Sequence, residues 1–316
     1  MGFCSFYGFV AVIICLICVL YLRNRAPRKD EKLKKLKGKV VLITGASSGL
    51  GKACCFEFRK YVCKVVLCSR NLEELKRVQK QLEDTYPLPP EEEGNASLVH
   101  KLDVADIDTV AENIRNVAAL CGNRIDILVN NAGIGNKESA LSSIVEVFKQ
   151  VLQVNLLGSI ATTKAVLPHM VSQGSGHIVG IGSIQSKVAI PFRSAYSASK
   201  HGAHGFYDSL RPEVHQYNIK VTTVNPGYIN TNISKNALKA DGTKYRRTEN
   251  EYLTGMTPEF VAESVVNSVV KGWSENTVAP ILYKYVPALG FLFPGVLLYF
   301  LQRRAAQHKQ GTRKVD

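Results

Sequence analysis

The chain has 316 residues, 46% of them apolar, and a formal net charge of +14 from 40 Lys and Arg against 26 Asp and Glu. That length and content exclude a disordered or collagen-like chain and fit one large domain with additions. Eight cysteines without zinc spacing or a paired framework exclude a disulfide scaffold and point to a reducing compartment.

The charge is concentrated at the ends: residues 23–39 hold nine Lys or Arg against Asp30 and Glu31, and residues 303–316 hold five against Asp316. Both basic flanks lie beside apolar stretches, an arrangement that suits a membrane surface better than nucleic acid, so no nucleic-acid partner is expected. The first stretch, FCSFYGFVAVIICLICVLYL at 3–22, is uncharged and long enough to cross a hydrocarbon core of ~30 Å. Its CxxC, Cys15 and Cys18, reads as two small hydrophobes. No Lys or Arg precedes the run and large residues end it, which argues for an uncleaved anchor over a signal peptide. The basic cluster that follows predicts a cytosolic body. The glycosylation acceptors Asn95-Ala-Ser and Asn232-Ile-Ser would be used only if the body were lumenal. The expected division is an anchor at 1–22, a basic linker at 23–37, a folded body at 38–275, and an apolar C-terminal segment with a basic tail at 276–316.

In the body, apolar runs alternate with amphipathic ones. KVVLIT (39–44) is continuous and β-branched, as in a strand buried on both faces, and leads through glycines into the helical pattern GKACCFEFRKY. VVLC (65–68) precedes Leu72, Leu75, Val78 and Leu82 at helical spacing, and LVHKLDV (98–104) precedes Ile107, Val110, Ile114 and Val117. TYPLPPEEEGNAS (85–97) reads as an exposed loop. DILVNNAG (126–133), HIVGIGS (177–183) and KVTTVNPG (220–227) add three more strands. Helices between strands imply parallel pairing with right-handed crossovers. Pro212 should kink or end the helix that begins near Ser194. The second apolar stretch, YVPALGFLFPGVLLYFL at 285–301, is interrupted by prolines and glycines and reads as a segment lying on the bilayer, with a buried or dimer-forming helix as the alternative.

TGASSGLG (44–51) places three glycines at the mouth of a helix, where backbone can approach a pyrophosphate and helix N–H groups can bind it. The spacing G-x-x-x-G-x-G differs from the commonest dinucleotide fingerprint, and taken alone the turn is equally a tight strand-to-helix connection. The second strand ends in Cys68, Ser69 and Arg70, with Lys52 just after the turn. A guanidinium where an acid would bind a ribose favours a 2′-phosphate, hence NADP(H) over NAD(H). Tyr196 and Lys200, in YSASK, fall on one helix face. A charged lysine there would favour the phenolate and bring the phenol toward proton exchange near neutrality. Arg193 reads as a solvent-facing loop residue, and His201 and His204 as helix surface or core, with no metal assigned.

These motifs, with LDV (102–104), NNAG (130–133), Asn155, Ser183 and NPGYINT (225–231), resemble the short-chain dehydrogenase/reductase family, nearest its membrane-anchored member 7 (7B-like) group. The resemblance covers about 38–275. It implies an α/β fold, one doubly wound parallel-sheet Rossmann-type domain, here with an N-terminal transmembrane helix and an apolar C-terminal extension. It implies a cofactor site at Gly45, Ser47, Ser48, Gly49, Leu50, Gly51, Arg70, Asp103, Asn131, Tyr196, Lys200 and Thr231. Tyr196 would be the general acid/base, Ser183 would hold the substrate oxygen, Lys200 would grip the nicotinamide ribose, and Asn155 would extend a proton relay. The expected activity is hydride transfer between NADP(H) and a hydrophobic ketone or secondary alcohol of the lipid, steroid or retinoid class. A non-catalytic dinucleotide-binding scaffold or redox sensor is the alternative. The endoplasmic reticulum is the expected membrane, ahead of the peroxisomal one, and relatives imply a homodimer.

Overall fold

Alternating strands and helices assemble, in a computed structural model that describes residues 26–246 and 254–312, into a single Rossmann-type α/β domain around one parallel sheet. The strands are β1 (Val40–Thr44), β2 (Lys64–Ser69), β3 (Leu98–Lys101), β4 (Ile127–Asn130), β5 (Gly176–Ile181), β6 (Ile219–Pro226) and β7 (Glu275–Val278), in the order β3-β2-β1-β4-β5-β6-β7. All six pairings are parallel. Every residue of β1 is buried, as its unbroken apolar run requires of a central strand covered on both faces.

The helices are α1 (Lys29–Leu36), α2 (Gly49–Arg59), α3 (Leu72–Thr85), α4 (Ile107–Leu120), α5 (Val145–Leu152), α6 (Gly158–Gln173), α7 (Ser194–Glu213), α8 (Pro258–Lys271), α9 (Ile281–Leu292) and α10 (Pro294–Thr312). One core joins the sheet to α1, α2, α3 and α8 through Leu36, Phe58, Leu75, Val78, Leu82 and Val265. The opposite core joins it to α4, α6 and α7 through Val110, Ile114, Val166, Met170 and Tyr207. α5 and α6 are connected through a π-helical turn at Gln153–Leu157 that contains Asn155.

The structure departs from the sequence reading at several elements. β7 extends the sheet beyond the six strands expected, and α1 forms within the basic linker, where Lys32 meets Glu263 at 3.1 Å and Lys35 donates to the Val270 carbonyl at 2.9 Å. Residues 90–95 of the acidic loop form a 3-10 turn. Ile107 is 39% exposed, outside the buried face of α4. α7 ends at Glu213, one residue after Pro212.

The C-terminal apolar stretch forms α9 and α10, broken at Pro294, and α9 buries no residue. Leu282, Tyr285, Phe291 and Leu292 are each more than 60% exposed, so the buried-helix alternative does not describe this segment. The anchor expected at 3–22 lies outside the described residues. Among the described residues no helix is long and apolar enough to cross a membrane.

Candidate active site

The order of β1 between β2 and β4 makes a crevice beyond the strand C-termini, where an open α/β sheet takes its ligand. A cavity of about 980 Å³ occupies it. The turn after β1 forms one wall. Gly45 has φ +68°, and a β-carbon there would stand 2.9 Å from the Ala132 Cα. At Gly51 a β-carbon would meet the Gly45 carbonyl oxygen at 2.2 Å, so glycine is what lets α2 abut the turn. Gly45, Ser47, Ser48, Gly49 and Leu50 line the cavity. Gly51 lies behind them as packing.

Arg70 is exposed and lines the same cavity with Asp103, whose carboxylate accepts the Ala105 N–H at 3.0 Å. Lys52 points elsewhere, donating to Gln81 at 2.7 Å, and is absent from the cavity wall. Asn131 braces the turn, donating to the Thr44 and Gly45 carbonyls at 3.0 and 3.3 Å. Thr231 closes over Gly49, where a β-carbon would lie 3.2 Å from its Cγ2. An open glycine cradle at a helix N-terminus, one acid and one free-reaching arginine form a donor set that fits a dinucleotide.

The facing wall carries Ser183, Tyr196 and Lys200. Ser183 follows β5, accepts the Gln185 N–H at 3.1 Å, and hydrogen-bonds the Tyr196 phenol. Lys200 is 6% exposed, and its Nζ lies 5.7 Å from the Tyr196 ring centroid and donates to the Ile181 carbonyl at 2.7 Å. Burial lowers its pKa to about 8.

Burial is the largest influence on both members of this pair. Burial raises the Tyr196 phenol above its ordinary value, and what opposes the rise is the Ser183 hydrogen bond and the charge of Arg193. Arg193 is itself 6% exposed rather than solvent-facing.

Asn155 lies in the π-helical turn, 1% exposed. Its carboxamide donates to the Ile134 carbonyl at 2.8 Å and Ser199 Oγ at 2.9 Å and accepts the Ile134 N–H at 2.8 Å. Those bonds leave the side chain outside the cavity wall and tie the segment after β4 to α7. Asn130, one strand residue before the cofactor brace, likewise holds Thr163 and Tyr207 at 2.8 and 3.0 Å. His201 bonds the Ser197 carbonyl at 2.9 Å, and His204 lies 3.3 Å from Asp208.

Sequence reading missed the third wall. Ile184, Val188 and Ile190 come from the loop after β5, Met256 from the start of α8's approach, and Tyr283, Val286, Leu297 and Leu301 from the C-terminal helices. Arg304 of α10 donates to the Tyr228 hydroxyl at 3.1 Å across the rim. The spacings 283/286 and 297/301/304 each mark one helix face, a signal legible once that segment is read as helical.

The short chain dehydrogenase family model matches residues 39–242. The Anopheles gambiae dehydrogenase/reductase SDR family protein 7-like is 41% identical over 278 residues, covering 88% of this chain and 86% of that protein. The Mus musculus dehydrogenase/reductase SDR family member 7B is 38% identical over 276 residues, covering 87% and 84%. Among solved structures, a metagenomic short-chain oxidoreductase in complex with NADP superposes with a TM-score of 0.62 at 28% identity, covering 78% of this chain and 98% of that one. A Burkholderia cenocepacia short chain dehydrogenase in complex with NADP shares the fold, with a TM-score of 0.67 at 22% identity, covering 84% and 98%. With its glycine cradle facing Tyr196 across one crevice, the chain belongs to the short-chain dehydrogenase/reductase family and is an NAD(P)-dependent oxidoreductase.

Proposed function

We propose that the chain interconverts a hydrophobic ketone and its secondary alcohol at a membrane surface, with NADP(H) as the preferred hydride partner. The observation that carries this reading is the shape of one cavity: a glycine cradle with Arg70 on one wall, Ser183 with Tyr196 on the next, and apolar side chains of α9 and α10 on the third. Bound nicotinamide supplies or accepts the hydride. The Ser183 hydroxyl holds the substrate oxygen, and the Tyr196 hydroxyl gives that oxygen a proton in reduction or takes one in oxidation. Lys200, lifted from Ile181, holds the ribose beside it. The role proposed for Asn155 is to fix the segment after β4 against Ser199 and so hold α7 in register. Arg70, the one cavity-lining cation at the end of β2, supports the 2′-phosphate as its partner.

Two features support the membrane. The uncharged run at 3–22 and its basic flank have the length and charge of an anchor with a cytosolic body. α9 and α10 turn Leu282, Tyr285, Phe291 and Phe300 outward, beside Arg303 and Arg304, a composition suited to the headgroup boundary. The same two helices line the cavity from the other side, so a substrate dissolved in the bilayer reaches Tyr196 along apolar surface. The endoplasmic reticulum membrane is the expected site.

The test is a lipid-extract screen that follows NADPH consumption, with Tyr196→Phe as the blank. Wild-type protein is expected to consume NADPH on a neutral or amphiphilic ketone, and Tyr196→Phe to bind NADPH yet turn over at least about 100-fold more slowly, the lower end of general acid–base effects. Equal consumption by both proteins refutes the reading.

A further inference from the structure

Gln185 is a polar residue in an apolar loop. It sits in the 3-10 turn Ile184–Ser186 that follows Ser183, lines the cavity beside Ile184 and Val188, and is 7% exposed. A carboxamide at that depth gives up water, so its polar atoms need partners within the protein. A leucine would fill the place without that cost.

The partners are what single it out. The Gln185 N–H donates to Ser183 Oγ at 3.1 Å, and the side-chain Oε1 accepts the Ser197 hydroxyl at 3.0 Å. Ser197 is 3% exposed and directly follows Tyr196 on α7. One residue therefore reaches both the hydroxyl expected to hold the substrate oxygen and the turn of helix that carries the phenol.

Each of those two pieces has its own brace. Ser186 Oγ accepts the Ser183 N–H at 3.0 Å, and Gly182 leaves room for it, since a β-carbon there would stand 2.8 Å from that oxygen. On the far side, fully buried Asn136 accepts the Tyr196 N–H at 2.8 Å, and the Phe192 carbonyl accepts the Glu138 N–H at 3.1 Å. These bonds order the turn and the start of α7 separately and leave open how one stands against the other. Lys200 ties α7 to Ile181, the last residue of β5. The bond from Ser197 to Gln185 carries that tie past the strand to the turn that holds Ser183. Two hydroxyls that share one substrate oxygen need such a tie, because a misplacement of about 1 Å is enough to cost about 100-fold in rate.

We propose that Gln185 is a positioning residue of the reaction: its carboxamide, bonded to Ser197 beside Tyr196, and its backbone N–H, bonded to Ser183, together set the separation of the two hydroxyls that act on the substrate oxygen. This rests on the reading of Ser183 and Tyr196 as the groups that hold and protonate that oxygen.

The experiment is a double-mutant cycle on full-length protein in detergent, with NADPH-dependent reduction of phenanthrenequinone and of methyl nonyl ketone as the two hydrophobic probes. Rates are referred to NADPH-binding sites titrated by nucleotide fluorescence, so that unfolded protein does not count. Gln185→Met keeps the stem and the backbone N–H but removes the acceptor, and Ser197→Ala removes the donor. Each is expected to lower kcat per site by about 10- to 100-fold, and the double variant to fall no further than the slower single one, since all three lose the same bond. A kcat per site that is unmoved in either single variant, or losses that multiply in the double one, overturns the proposal. Should Gln185→Met bind no NADPH, Ser197→Ala, which removes a single oxygen, decides alone: a lowered kcat supports the proposal and an unmoved one overturns it. Tyr196→Phe protein that reduces the probes as fast as wild type sinks the underlying reading; inactive Tyr196→Phe with unmoved Gln185→Met and Ser197→Ala sinks only the role of Gln185.

Discussion

Replacing Lys200 by Met should make the cofactor-free protein more stable at pH 7 and remove part of its pH dependence. Lys200 is held in the sheet-facing side of α7 with its pKa lowered by burial from an ordinary 10.5 to about 8. At roughly 1.36 kcal/mol for each pH unit, keeping that amine charged and buried costs about 3 kcal/mol. Met preserves the length of the stem but forfeits the bond to Ile181 at 2.7 Å, leaving a carbonyl short of a partner at a cost of about 1–2 kcal/mol. The net gain at pH 7 is therefore about 1–2 kcal/mol. The folded pKa lies below the unfolded one, so between about pH 8 and 10.5 the unfolded chain holds the extra proton and wild-type stability rises with pH. Between pH 7 and 9 the wild type should recover about 1 kcal/mol of the difference. The raised thiols of Cys54, Cys63 and Cys68 act in the opposite sense, their contribution being lost as pH climbs through 9, but they act alike in both proteins. Urea unfolding of the cofactor-free pair at pH 7 and 9 reads the gap directly. A gap that is the same at both pH values would refute the assignment of a buried, charged Lys200.

Gly51→Ala should weaken NADPH binding at least about tenfold and cost about 1–3 kcal/mol of stability, because its β-carbon would stand 2.2 Å from the Gly45 carbonyl oxygen; an unchanged Kd in a nucleotide-fluorescence titration counts against the turn as the cradle. Arg70→Glu should raise the KM for NADPH by about 10- to 100-fold, the loss of one or two charge-assisted hydrogen bonds, while the KM for NADH stays put or falls. If both rise together, Arg70 does not contact the 2′-phosphate.

What could be read from the sequence was what local pattern encodes. Val40–Thr44 and its neighbours are continuous apolar runs, and such runs have no stable home except a covered parallel sheet. β7 escaped because Glu275–Val278 buries only Val278; as an edge strand it needs pairing with β6 more than hydrophobic content. α1 escaped because KDEKLKKL looks like a solvated charge run. Its helix becomes visible only when Leu36 and the Lys32 stem find α8, a contact between residues more than 200 apart in the chain.

At the site the same division holds. The glycine turn and the Tyr196–Lys200 pair stand out by spacing, because a turn or one helix face fixes their geometry over a few residues, whereas Asn131 and Ser183 stand out only through the resemblance of the whole motif set. Arg193 did not, although VAIPF precedes it, and an arginine closing an apolar run has a fair chance of being carried inside with it. The backbone on either side of it is held by Asn136 and Glu138, more than 50 residues earlier, and no periodicity connects them. Spacing placed Lys200 near the phenol, 5.7 Å from the ring centroid, but could not show that its ammonium donates to the Ile181 carbonyl on β5. A charge engaged by a backbone carbonyl and stripped of water is first of all a cost to the folded state. Burial thus dominates both members of the pair, and against it the phenol has the Ser183 hydrogen bond and the charge of Arg193.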